Sequence, residues 1–270
     1  MIKLPDSNQK REKNIIDMMF SKSTTKTVDS ETLLKDVQNR IHDSLKNGYK
    51  YSKIVEGSEK FLRKQIFQTI EVSVIYVDLV GSTKMSLELP PDKLSIVVSS
   101  FVQEMSYVIS QHDGFVLKFS GDAVIGYFIG KGSSLQAADS AVGCAETMLK
   151  IVKKGINPIL SKEKNLPKLQ IKVGIDFGPV TVVQYGSDKK NSFVDLLGPS
   201  LNMASKVQGV AKPDQIVVGH DVYERLRPTI QRSFKEITKE LLEWKFTSKF
   251  GKKYTQYIQN KLNLIYKIIN

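Results

Sequence analysis

With 270 residues, 41% of them hydrophobic, the chain is long enough for one substantial core with extensions. A single cysteine, Cys144, excludes an intramolecular disulfide, and no apolar run reaches the roughly 18 residues of a membrane-spanning helix. With no apolar signal-like core near the N-terminus either, the composition points to a soluble cytoplasmic protein. The net charge of +12 lies in the flanks: residues 1–70 carry 14 Lys/Arg against 9 Asp/Glu, residues 71–228 carry 17 against 16, and residues 229–270 carry 9 against 3. A basic flank attracts anions. Without an RNA-type aromatic pattern or a helix-turn-helix, no specific nucleic-acid binding is expected.

Residues 1–28 are polar, and Ser21 to Thr27 reads as a loop between helical segments. From Asp29 onward, Leu33, Leu34, Val37, Ile41 and Leu45 form an apolar stripe at helical spacing, so residues 1–70 read as a helical N-terminal extension. Val72 to Thr83 reads as a buried strand that meets a carboxylate, Asp78, and opens into a small-residue turn. Pro90-Pro91-Asp92 starts a helix whose core face is Leu94, Val97, Val98, Phe101, Met105, Val108 and Ile109, ending near His112-Asp113-Gly114. Phe115–Phe119 and Ala123–Ile129 form a hairpin with Asp122 at its tip. A second helix follows on Ala137, Ala141, Ala145, Met148, Leu149 and Val152, and Cys144 reads as one of its small buried hydrophobes.

Leu169–Ile175 is a further strand, and Gly178-Pro179 is expected to turn it into Val180–Tyr185 as a second hairpin. Asp195 to Ser200 leads into a short helix, Leu201 to Val210, followed by strand Gln215–Val218. Trp244-Lys245-Phe246 and Tyr254 to Ile258 make a last hairpin, before an amphipathic segment over 261–270. The order predicts an α/β fold: a mainly antiparallel sheet with helices on one face, built from two ferredoxin-like βαβ units.

Two carboxylates at neighbouring strand ends suit a divalent cation, since magnesium is usually held by one or two carboxylates plus substrate phosphates. Backbone amides from Leu79 to Thr83 would face those phosphates. Each aspartate alone has a plainer reading as a turn former. His42, His112 and His220 show no ligand spacing and no Ser or Cys partner, which argues against a zinc site or a hydrolase triad.

Four segments carry a more specific signal: Tyr76-Val77-Asp78-Leu79-Val80-Gly81-Ser82-Thr83, Lys118-Phe119-Ser120-Gly121-Asp122, Val173-Gly174-Ile175-Asp176-Phe177-Gly178-Pro179-Val180, and Asp195-Leu196-Leu197-Gly198-Pro199-Ser200-Leu201-Asn202-Met203-Ala204-Ser205-Lys206. In order and spacing they resemble the catalytic domain of class III nucleotidyl cyclases over about residues 71–228, with a looser echo to about 258. The resemblance implies a catalytic domain over 71–260, with the ferredoxin-like class III cyclase fold. It also implies conversion of a nucleoside triphosphate to its 3′,5′-cyclic monophosphate and pyrophosphate. By similarity, Asp78 and Asp122 hold two Mg2+ or Mn2+ ions, assisted by the carbonyl of Leu79, and Val80, Gly81, Ser82 and Thr83 face the phosphates. Lys118 and Asp195 fall on the base-reading positions and resemble the adenine pair. Leu117 and Phe119 are expected on the opposite face of their strand. Asn202 falls on the ribose-orienting position. One helical turn on, where the family usually has a transition-state arginine, stands Lys206, which keeps the charge without the planar fork. Lys249 or Lys252 would serve as a further triphosphate lysine.

Because the family draws its metal aspartates from one subunit and its Asn/Arg helix from another, the resemblance implies a homodimer. The sequence thus favours an adenylate cyclase in signal transduction, with residues 1–70 as the place for a regulatory partner. Two alternatives stand beside it: a uridylate or cytidylate cyclase of antiphage signalling, and a catalytically silent nucleotide-binding module.

Overall fold

Thr69 to Leu79 form one unbroken strand that pairs antiparallel along its whole length with a longer one beginning at Ile171, and the rest of the sheet is laid outward from that pair. The structure is a computed structural model and describes residues 30–47, 54–162, 166–186, 192–238, 244–247 and 251–259. It divides into two compact units, Met1–Leu33 and Leu34–Asn270. Of the first, the described residues are the opening of helix α1 (Ser30–Asn47).

In the second unit, α2 (Glu56–Leu62) precedes β1 (Thr69–Leu79), α3 (Ser82–Glu88) and α4 (Pro91–Gln111). Next come β2 (Phe115–Ser120), β3 (Ala123–Phe128), α5 (Ser134–Ile151) and, after a π-helical turn at Val152–Ile156, α6 (Asn157–Leu160). The chain continues through β4 (Ile171–Tyr185), β5 (Phe193–Leu197), α7 (Pro199–Val210), β6 (Gln215–Gly219), α8 (His220–Tyr223), α9 (Pro228–Gln231), β7 (Phe234–Glu236) and β8 (Gln256–Gln259). The sheet order is β2-β3-β1-β4-β6-β8-β7, with β5 paired to the far half of β4, and β4–β6 is its parallel pair.

Alternation along β1 sends Val72, Val74 and Tyr76 to one face and Ser73, Ile75 and Val77 to the other. Gly126, opposite Ile75, has Ile109 of α4 pressed against it, whereas Gly174, opposite Tyr76, has the backbone of α7 pressed against it. Helices therefore cover both faces of the sheet, not one as the sequence suggested. On the α7 face Val72, Val74, Ile125, Tyr127, Val180, Val182, Leu201 and Ala204 form a continuous core. Cys144 is buried as a small hydrophobe, and burial pushes its thiol pKa well up.

Three local expectations are corrected. Gly178-Pro179 makes no turn: both lie inside β4, where the strand has β1 on one side and a gap between β6 and β5 on the other. Proline is tolerated there because no ladder partner asks for its missing N–H. Residues 193–197 form a strand, β5, that the sequence reading took as a lead into a helix. The last hairpin is reduced to a Thr247–Lys253 bridge and the Tyr254 N–H donating to Phe246 O, while β8 instead joins β6 and β7. The segment 261–270 lies outside the described residues.

From Leu34 on, the apolar stripe of α1 finds its partner within the second unit. Val37 packs on Gly155 of the π-helical turn, and Gln38 Nε2 donates to Lys154 O at 3.2 Å. Arg40 grips Glu104 of α4 with two hydrogen bonds, 2.8 and 2.7 Å, and its guanidinium lies 4.3 Å from the Tyr107 ring centroid. Glu104 is 1% exposed, so removing its cation strands a buried charge. Arg40→Met should cost about 3 kcal/mol in urea denaturation, and Arg40→Met with Glu104→Met should recover most of it. An unchanged midpoint in the single variant would contradict this role.

Candidate active site

β1 delivers Asp78 at its end, and the tight β2–β3 turn brings Asp122 beside it. Gly121 takes φ +62 in that turn, with open space where a Cβ would stand. Burial first, then the charge of Asp122, raise the Asp78 carboxyl above its usual range, against a hydrogen bond from Gln208 and the charge of Lys172. Gln208 Nε2 donates to Asp78 Oδ2 at 3.2 Å. Asp122 Oδ2 is buried and has no hydrogen-bond partner among the described residues. Two facing carboxylates, one with an unsatisfied buried oxygen, are costly as they stand and fit a hard divalent cation that takes oxygen ligands. Among the described residues no group of three or more His, Cys, Asp or Glu could hold a metal. An ion here would thus be held by this pair together with backbone or substrate oxygens.

Leu79 has its side chain in the core, at the end of the β1–β4 ladder. The next residue departs from the expected phosphate loop, because the Val80 N–H donates to Gln170 O at 2.9 Å and is already used. The turn is a single step: Gly81, at φ +76, caps α3, and Ser82 and Thr83 open that helix. Amides at the start of a helix lack an intrahelical acceptor, so Ser82 and Thr83 remain suited to phosphate oxygens where Val80 is not.

Lys118 stands after a bulge in β2, between Val116 and Lys118 in the β2–β3 register. The bulge overturns the expected alternation: Leu117 is buried, whereas Phe119 is exposed. Lys118 Nζ pairs with Asp195 Oδ2 of β5, and the other Asp195 oxygen accepts from the Leu196 N–H at 2.8 Å. Tyr76 lies near this pair. Burial, then the charge of Asp195, raise its phenol above the usual range.

Gly198-Pro199 starts α7, with proline at the first helical turn where its missing N–H costs nothing. Ala204 and Val207 face the sheet, while Asn202 and Lys206 are exposed together on the other side. Lys206 Nζ sits 5.8 Å from the centroid of the Phe246 ring. Lys252 is exposed, and Lys249 lies outside the described residues. One helix thus turns Gln208 inward to Asp78 and Asn202 and Lys206 outward. Sequence reasoning missed Gln208, although Gln208 follows the core residue Ala204 by four and so shares its inward face. It also missed Phe246, for which no sequence signal existed.

The Adenylate and Guanylate cyclase catalytic domain family model matches residues 65–260, and the chain belongs to this family. It is similar to a cytidylate cyclase of Staphylococcus aureus, 28% identical over 168 residues that cover 60% of this chain and 38% of that protein. It is also similar to a uridylate cyclase of Rhodovulum sp. (strain MB263), 25% identical over 188 residues, 69% of this chain and 78% of that protein. The chain spans about two fifths of the length of the cytidylate cyclase it matches. Among solved structures, the adenylyl cyclase CyaB from P. aeruginosa superposes with a TM-score of 0.58 at 24% identity, covering 71% of this chain and 94% of that one, a likeness of fold.

The folded Asp78 carboxyl binds its proton more tightly than an unfolded one, so ionising it as pH rises costs the cation-free fold stability. At neutral pH in EDTA, Asp78→Asn should raise Tm. Mn2+ should raise the Tm of the unsubstituted protein but not of Asp78→Asn, and its effect should fade as pH falls through the raised Asp78 range. A Mn2+ shift that survives in Asp78→Asn would contradict the assignment.

Proposed function

We propose that the protein is a nucleotidyl cyclase that closes the ribose 3′-oxygen of a nucleoside triphosphate onto its α-phosphorus and releases pyrophosphate. The observation that carries this reading is the Asp78–Asp122 pair, whose buried Oδ2 at Asp122 has no hydrogen-bond partner among the described residues. Asp78, Asp122 and the Leu79 carbonyl are the residues that would hold two Mg2+ or Mn2+ ions, and such ions lower the pKa of an attacking hydroxyl and neutralise a leaving phosphate. The amides of Ser82 and Thr83, after the Gly81 cap, orient phosphate oxygens. Asn202 holds the ribose, and Lys206 places positive charge on the phosphoryl group in flight, as phosphoryl transfer requires positioning and charge neutralisation. Since Asn202 and Lys206 lie on the face of α7 turned away from Asp78, to which the same helix presents Gln208, each site takes its carboxylate pair from one chain and its α7 face from a second copy.

Lys118 and Asp195 read the base. A lysine donates to a ring nitrogen and a carboxylate accepts from an exocyclic amine, which matches adenine and rejects guanine, whose corresponding edge is reversed. ATP is the first reading. CTP is the second, because cytosine presents the same amine and ring-nitrogen edge on one ring. Two observations favour it: the half-buried Tyr76 beside Asp195 narrows the space for a base, and a cytidylate cyclase is among the relatives.

Purified protein incubated separately with ATP, CTP, GTP and UTP, with Mn2+ or Mg2+, should yield cyclic AMP or cyclic CMP by mass spectrometry. Lys118→Ala and Asp195→Ala should each lower kcat/KM for that nucleotide about ten- to a hundredfold. Cyclic GMP or cyclic UMP as the dominant product would overturn the base assignment. Absence of any product, with nucleotide still bound, would favour a silent binding module.

A further inference from the structure

Helix α7 rests on β4 at a glycine. A Cβ on Gly174 would stand 2.2 Å from the Gln208 amide nitrogen and 2.5 Å from its Cα, so the helix lies directly on the strand backbone there. Gly174 is opposite Tyr76 and Lys172 is opposite Asp78, which places Gln208 one strand over and two residues along from the carboxylate. From that seat Nε2 reaches Asp78 Oδ2 at 3.2 Å.

We propose that Gln208 is a positioning residue for the divalent-cation pair: from α7 it holds one oxygen of Asp78, leaving the other oxygen, together with the unpartnered Oδ2 of Asp122, to the ion. This rests on the metal reading of Asp78 and Asp122 given under Proposed function. The chemistry of the side chain suits the task. Two like charges side by side drive Asp78 away from Asp122, and a hydrogen-bond donor on the far side opposes that swing. A neutral amide does so without adding to the positive charge that Lys172 already brings to the carboxylate. Groups that orient a metal ligand without touching the metal typically set affinity within one to two orders of magnitude.

The test is a titration of the full chain with Mn2+ in the absence of nucleotide at fixed pH, with free Mn2+ read by electron paramagnetic resonance. Gln208→Met keeps the length and volume of the side chain and removes the donor; Gln208→Leu is the second variant should the first fail to fold. Asp78→Ala and Asp122→Ala are measured alongside. Loss of Mn2+ binding in both aspartate variants, with about ten- to a hundredfold weaker binding in Gln208→Met, is the expected result. If the aspartate variants lose binding while Gln208→Met and Gln208→Leu stay within about twofold of the parent chain, the positioning role is overturned and the metal reading stands. Should the aspartate variants bind Mn2+ like the parent, the metal reading falls and the role of Gln208 with it.

Discussion

The pairing of β1 with β4 is the constraint on which the rest of the molecule depends. It runs for eleven residues from Thr69–Thr181 to Leu79–Ile171, and a slip of one residue would turn Asp78 into the opposite face. In the observed register Asp78, Tyr76, Val74 and Val72 share the α7 face, Gly174 lies opposite Tyr76, and the missing side chain lets α7 settle on the sheet. The same register leaves β3 to pair with the other edge of β1, so the β2–β3 turn ends beside Asp78 and carries Asp122 there. Sequence, register and packing thus converge on one carboxylate pair.

Helix α7 is then a two-sided element. Ala204, Val207 and Gln208 face the sheet, with Gln208 on the Asp78 carboxylate, while Asn202 and Lys206 face outward. Electrostatics divides along the same line. The inward side confronts two carboxylates, of which Asp78 is raised by burial first and then by the charge of Asp122, whereas the outward side presents a lysine cation above Phe246. A flexible lysine lacks the directional fork of an arginine, and the aromatic ring below its ammonium supplies part of the orientation, since a cation within about 6 Å of a ring centroid is attracted to its face. The N-terminal helix, through Arg40 and Glu104, is fastened to α4 and makes residues 34–47 a structural part of the second unit.

Much of this was legible in the sequence because it depends on local pattern. The β-branched run before Asp78, the Gly-Asp tip at 121–122, and the stripe of α4 each declare their element by period and turn chemistry. What escaped was set by neighbours. Pro179 looked like a turn former and is a strand residue because its free edge falls in a gap between two partner strands. Lys118 looked like one step in a simple alternation, until a bulge moved Leu117 into the core and left Phe119 outside. The Gln208–Asp78 contact joins residues 130 positions apart and depends on how closely α7 approaches Gly174, which no local window records.

The central claim is that a working site joins the Asp78–Asp122 pair of one chain to the Asn202–Lys206 face of another. Two inactive variants, Asp78→Ala and Lys206→Ala, should therefore regain activity when mixed and allowed to exchange subunits. Random pairing makes half the dimers mixed, each with one intact site of two, so about a quarter of the parent activity is expected. Mixtures that stay as inactive as their components, while native mass spectrometry shows the mixed dimer, would contradict the account.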